Sequence, residues 1–312
     1  MQGQIINNAQ TVSPYVGLDN CETFEKQPIG VILTNSDYIL SNVDEDVADR
    51  LLKSAALEQG DTKVFPIMEG MVNLEPSGGD ARVSQEGFGS GSINGLNPYS
   101  EILTFIKGGL CLYKQLTALH GRDMRVYFVD QNYNAYGVML DDGTVRGFAI
   151  NFGVAYRKNV GTTTPAVKLH LLYSSSYATE LQNITSFKVS DSLVGLRAIN
   201  WRVLDITYDA VTNITSIKAG LFTQCSGINV TSLLSSVTKD SINIWVDNVW
   251  KTPTLMSSTI DSVTFTVPAI TPADGVKLRS LNLVGSVINT AFCNQLVSLK
   301  MSVIIEDIVI IA

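Results

Sequence analysis

Beyond residue 184 the chain contains no amphipathic helical run of useful length. It is instead a succession of short stretches rich in β-branched and aromatic residues, largely alternating in polarity and separated by turn residues. These are Ile184–Val189, Ala198–Val203, Ile214–Ala219, Ile242–Val246, Ser262–Val267, Lys277–Leu283 and Leu299–Ile305. A period near two with this composition specifies extended strands, and many short strands at this spacing predict an all-β sandwich of the immunoglobulin-like kind over residues 184–312. The chain has 312 residues, enough for two domains at roughly 150 residues each.

The first half reads differently. Ile29–Leu33 is a short buried strand, and Val47, Ala48, Leu51, Leu52 and Ala55 recur at helical spacing behind the capping residues Ser41–Asp44. Asp44, Glu45 and Asp46 complement the positive helix start, and Gly60 ends the helix. Val64–Met68 and Ile102–Ile106 return as strands. Leu112, Leu116 and Leu119 form the apolar stripe of a second helix closed by Gly121. Strands follow at Arg125–Val129, Ala135–Met139, Val145–Ile150, Gly153–Tyr156 and Val167–Tyr173, with Asp141-Asp-Gly143 as a tight turn. The reading is an α+β domain over residues 21–183. It is preceded by an extended polar arm over 1–20 and closed by a linker at Ser174–Asn183. Between Glu69 and Pro98 seven glycines and several serines replace apolar residues, which predicts a long exposed hairpin or loop, 69–98, reaching outward.

Charged residues make up 16 %, below the usual ~25 %, and Ser, Thr, Asn and Gln take their place. Neutral polar surface costs less to desolvate than charge, so this exterior suits burial against other protein. A net charge of −7 with no basic run argues against electrostatic nucleic-acid binding. No signal peptide and no membrane-spanning stretch is visible; the most apolar segment, Val303–Ala312, is broken by Glu306-Asp307. The four cysteines, Cys21, Cys111, Cys225 and Cys293, are far apart and contain no metal or redox spacing. They read as small buried thiols in a reducing cytoplasm.

Candidate chemistry dissolves on inspection. Gly87-Phe-Gly-Ser-Gly91 lacks both the Lys-Ser/Thr of a phosphate loop and the strand-to-helix context of a dinucleotide turn. Glu306 and Asp307 point to opposite faces of a strand, and Asp141-Asp142 are turn residues. Cys111 and His120, nine residues apart at about 100° per residue, face away from each other on a helix. His170 is an isolated strand histidine, and Asp44–Asp46 lack calcium-loop spacing. Trp201, Trp245 and Trp250 read as sandwich core, with exposed sugar-stacking as the alternative. The triplets at Asn183, Asn213 and Asn229 carry no weight without a secretory signal. No catalytic, cofactor-binding or metal-binding residue is assigned, and no enzyme activity is expected.

The block Gly108-Gly-Leu-Cys-Leu-Tyr-Lys-Gln-Leu-Thr-Ala-Leu-His-Gly-Arg-Asp-Met-Arg-Val-Tyr-Phe-Val-Asp130, followed by Asn134-Ala-Tyr-Gly137 and Asp142-Gly-Thr-Val-Arg-Gly-Phe148, resembles virion structural proteins of crAss-like bacteriophages. The match is to the ring proteins that stack to form the tail barrel. It covers roughly the first half of the chain and rests on the order and texture of elements. The resemblance implies a structural subunit of the virion tail, made in the host bacterial cytoplasm. It implies identical subunits closing a ring of twelve, stacked on adjacent rings, portal or muzzle proteins. Phage DNA would pass through the channel without specific binding, and an acidic lumen would let it slide. The alternative is a head or tail adhesion module that binds host glycan through the C-terminal sandwich.

Overall fold

The computed structural model describes residues 28–41, 47–56, 63–84, 92–158, 164–209, 213–233, 242–246, 249–270, 278–285, 298, 301–304 and 308–311. The 1–20 arm, the capping residues after Ser41, Gly60, Gly87–Gly91, Cys21, Cys293 and Glu306-Asp307 lie outside them. The fold is rich in β-structure, arranged in several mostly antiparallel sheets.

Two compact units divide the chain. One is built from residues up to Leu51 with Val64–Val194, the other from Leu52–Lys63 with Gly195 onward. In chain order the elements up to Val194 are β1 (Pro28–Asn35), α1 (Val47–Ala56), β2 (Val64–Ile67), β3 (Met71–Ser77), β4 (Ala81–Ser84), β5 (Ser92–Leu96), β6 (Ser100–Phe105) and α2 (Gly109–Thr117). They continue with β7 (Asp123–Asp130), β8 (Asn134–Met139), β9 (Val145–Arg146), β10 (Phe148–Arg157), β11 (Ala166–Tyr173), α3 (Tyr177–Glu180) and β12 (Ile184–Lys188). On α1, Val47, Leu51 and Ala55 of the expected apolar set are buried at a spacing of four and Ala48 is half-buried, while the Leu52 side chain lies outside the described residues.

Ten strands form one sheet with the path β12-β8-β7-β10-β11-β6-β3; β1 pairs with β7 and β2, and β9 pairs with β8. Along β10 burial alternates strictly. Phe148, Ile150, Phe152 and Val154 enter the core, where they join Val167, Leu169 and Leu171 of β11 and Leu103 and Phe105 of β6. Leu116 and Leu119, on and just beyond α2, close the same core. The sequence reads Val145–Tyr156 as two strands broken after Ile150. The structure breaks it at Gly147 instead, so that β10 runs unbroken through Gly153. Gly147 lies so near β7 that an added Cβ would stand 2.8 Å from the Val126 amide nitrogen. One edge of β7 is shared there, by β10 at Asp123–Val126 and by β8 at Phe128–Val129.

Two boundaries need correction. Ser174–Asn183, expected as a linker, folds as α3 and a following 3-10 turn, with Glu180 buried. Ile184–Lys188, expected to open the C-terminal domain, pairs with β8 in the ten-stranded sheet, and the division between units falls at Gly195.

Beyond Gly195 every strand expected from the sequence forms. The strands are β13 (Arg197–Asp209), β14 (Asn213–Thr223), β15 (Ile242–Val246), β16 (Val249–Lys251), β17 (Leu255–Ser258), β18 (Val263–Ile270), β19 (Leu278–Gly285), β20 (Met301–Ile304) and β21 (Ile308–Ile311). They make a five-stranded sheet, β17-β18-β14-β13-β20, and a four-stranded sheet, β16-β15-β19-β21. Only the β13–β20 pairing among them is parallel. Ile199, Ile217, Ala219, Leu221, Val263 and Phe265 form the buried face of the larger sheet.

The cysteine reading is also corrected. Cys111 and Cys225 are each disulfide-bonded. Neither is core: Cys111 is half-buried on α2 and Cys225 is exposed in a turn after β14. The wide spacing of the cysteines hid this, because spacing alone does not show whether a thiol is oxidised.

Candidate functional site: a β-ribbon and its root

The Gly/Ser-rich stretch is one long hairpin. β3 pairs with β6 from Met71↔Phe105 to Ser77↔Ser100, and β4 continues against β5 from Ala81↔Leu96 to Ser84↔Ser92. Hydrogen bonds from Gly79 N to Asn97 O (3.0 Å) and from Asn97 N to Asp80 O (2.9 Å) join the two halves. The root belongs to the large sheet, because β6 is paired on its other edge with β11 over the same residues. Beyond Ser100 the ribbon runs on alone: among the described residues β4 and β5 pair only with each other.

Nothing among the described residues covers that outer half. Asn94, Gly95, Leu96 and Asn97 are all exposed, and since successive strand residues alternate in direction, both faces are open. Leu96 is 48 % exposed, and Val72, at the bulge in β3, is 50 % exposed. Two of its polar contacts are local: Arg82 Nε to Asn97 Oδ1 at 3.0 Å across the ribbon and Asn73 Nδ2 to Glu75 Oε1 at 2.7 Å along β3.

Gly78 and Gly79 set the angle at which the ribbon leaves the sheet. Both have positive φ, 86° and 78°. A Cβ on Gly78 would stand 1.9 Å from the Pro98 carbonyl oxygen, and one on Gly79 would stand 2.4 Å from the Tyr99 ring. No other residue type fits either position.

Behind the bend lies an aromatic cluster. Tyr173 of β11 stacks on Tyr177 of α3 with ring centroids 3.9 Å apart, and Tyr99 meets Tyr177 edge-on at 5.2 Å. The Tyr173 hydroxyl donates to Glu101 Oε2 at 2.8 Å. Burial pushes the Glu101 carboxyl above the usual carboxylate range, against the lowering effect of that hydrogen bond. Burial, and then the Glu101 charge, pushes the Tyr173 phenol well up and Tyr177 up to about 12. Sequence reasoning missed this cluster. The signal was present: in Glu101-Ile-Leu-Thr-Phe105 the glutamate shares the core-facing phase with Leu103 and Phe105.

Two further polar centres lie within the unit. Glu180, 4 % exposed, accepts from Arg125 Nη1 (3.3 Å), Arg146 Nη2 (3.4 Å) and Ala149 N (3.1 Å). Asp130, at the end of β7, accepts from Asn132 N, Asn134 N, Asn134 Nδ2 and the Tyr136 hydroxyl, at 2.7 to 3.0 Å. Burial alone would raise the Asp130 carboxyl, but these donors outweigh it and hold it below its ordinary value.

The tempting pairs do not converge. His120 Nδ1 accepts from Val154 N at 3.1 Å while Cys111 is spent in a disulfide, and His170 is exposed on β11. Asp142 Oδ1 accepts from Thr144 N and Oγ1, turn chemistry as expected. Trp201, Trp245 and Trp250 lie on β13, β15 and β16, with Trp245 and Trp250 register partners; their side chains are outside the described residues. Asn229 is occupied, donating to Asp261 O and accepting from Thr231 N. Among the described residues no three His, Cys, Asp or Glu side chains are placed to hold a metal ion, and no helix is long and apolar enough to cross a membrane. The chain matches no family model and no curated protein.

Proposed function

We propose that the chain is a structural subunit of a bacteriophage tail, of the crAss-like ring kind, whose ribbon is its principal arm for reaching a neighbouring copy. The observation that carries this reading is the outer ribbon, a two-stranded sheet whose residues 94–97 are exposed on both faces. Isolated two-stranded hairpins are marginal in water, so one of this length is best accounted for by a surface that covers it. The scarcity of charge along it lowers the cost of that burial. In the same reading residues 1–20 contribute a second arm. Unit 2, its five- and four-stranded sheets packed as an immunoglobulin-like sandwich, decorates the outside. Oxidation of Cys111 and Cys225 follows release of the particle from the reducing host cytoplasm.

The test is the mass of the purified full chain by light scattering, with negative-stain images of the same sample. The expected result is a closed ring that reverts to monomers when residues 79–97 are replaced by a short Gly-Ser turn. A wild-type chain that stays monomeric at high concentration, and sits singly in particles, overturns the reading.

A further inference from the structure

A continuous set of contacts runs from a carboxyl group to the bend of the ribbon. Glu101 accepts from the Tyr173 hydroxyl; Tyr173 stacks on Tyr177; Tyr177 meets Tyr99 edge-on; and the Tyr99 ring lies against Gly79. The Tyr99 carbonyl also accepts from Tyr173 N at 3.0 Å, tying the ribbon's last residues to β11. We propose that Glu101 is a proton-operated latch that fixes the ribbon when protonated and loosens it when ionised.

The physical case rests on what surrounds the carboxyl. Glu101 is paired across the sheet with Pro76 on β3 and Leu171 on β11, neither of which ionises. Its titratable neighbours are the phenols of Tyr173 and Tyr177, both pushed above the ordinary phenol value and so neutral near pH 7, with the Tyr99 ring behind them. On α3 the next charge is Glu180, itself already engaged by Arg125 and Arg146. Among the described residues no cation pairs with Glu101. A half-buried carboxylate with one phenol donor and no counter-charge draws water toward itself, and here that water must enter among stacked tyrosines. The acid form makes no such demand, and it keeps the Tyr173 hydrogen bond. The upward displacement of the Glu101 pKa agrees with this geometry.

The consequence for assembly rests on the function proposed above: a fixed arm loses less freedom on docking than a swinging one, so acidification would favour ring closure. The latch itself is tested on the free chain. Hydrogen exchange of the wild type, corrected for intrinsic rates, is compared at about pH 5 and about pH 8 for peptides spanning residues 71–84 and 92–105. Exchange at the lower pH should be slower by about tenfold, with β7 and β8 as internal references. Glu101→Gln, which mimics the acid form, should show the slow rate at both pH values. Tyr173→Phe removes the donor that favours ionisation, so the pH at which the ribbon tightens should move upward. Equal ribbon protection at both pH values in the wild type, or an undiminished pH response in Glu101→Gln, overturns the latch. Sedimentation of the same samples keeps the two ideas apart: a ribbon that tightens on a chain that never self-associates sustains the latch and sinks the assembly reading.

Discussion

Glu180→Gln is the sharpest test of how the ten-stranded unit is held. At the observed separations of 3.3 and 3.4 Å, each arginine attracts the carboxylate by about 5 kcal/mol at an effective dielectric near 20. Most of that only offsets the cost of drying three charged groups, so intact the cluster contributes little net stability. Neutralising the shared carboxylate leaves Arg125 and Arg146 facing each other without compensation, and the expected loss is about 3–5 kcal/mol. Burial, and then the Arg146 charge, already hold Arg125 below its usual value. All three tryptophans lie beyond Gly195, so their fluorescence follows the second unit. The read-out is therefore exchange of the β7 and β10 amides of the ten-stranded unit, which should move to lower urea. Changing the salt concentration should barely alter the deficit, since buried charges are weakly screened. A loss below about 1 kcal/mol would place the cluster among ordinary surface pairs and refute the clasp.

Other outcomes follow from the same structure. Asp130→Asn should cost about 1–3 kcal/mol at neutral pH. Because the folded carboxyl titrates below its unfolded value, that penalty should shrink as pH falls through the folded pKa, checked by melts from pH 7 downward. Gly78→Ala forces a side chain into positive φ, worth about 1–2 kcal/mol before the clash with Pro98 is counted; light scattering should show impaired self-association while the β7 and β10 amides stay protected. Cys111→Ser should destabilise the oxidised protein by about 2–4 kcal/mol and leave the reduced protein nearly unchanged, read by melts with and without reductant.

Local pattern, read from the sequence alone, was enough to place most strands. Alternation with β-branching locates β13, β14, β15 and β18 because a half-buried strand needs nothing beyond a period of two. The stripe on α2 and the turn at Gly143 were legible for similar reasons, since helix faces and positive-φ glycines are local requirements; Gly121, expected to cap α2, lies beyond it, because the helix ends at Thr117 with Ala118 as its cap. The exposed 69–98 excursion was visible from its missing apolar residues. What it would pair with was not.

Tertiary structure decided where neighbours come from far along the chain. Ser174–Asn183 is polar enough to pass for a linker, and only the arrival of Arg125 and Arg146 makes Glu180 a buried anchor. Ile184–Lys188 resembles the strands after it, and pairing with β8 rather than its own periodicity assigns it to the first unit. Glu101 acquires its character from Tyr173, 72 residues away. Periodicity reports which face of an element is buried; the identity of whatever lies against that face depends on chain crossings that no local pattern records.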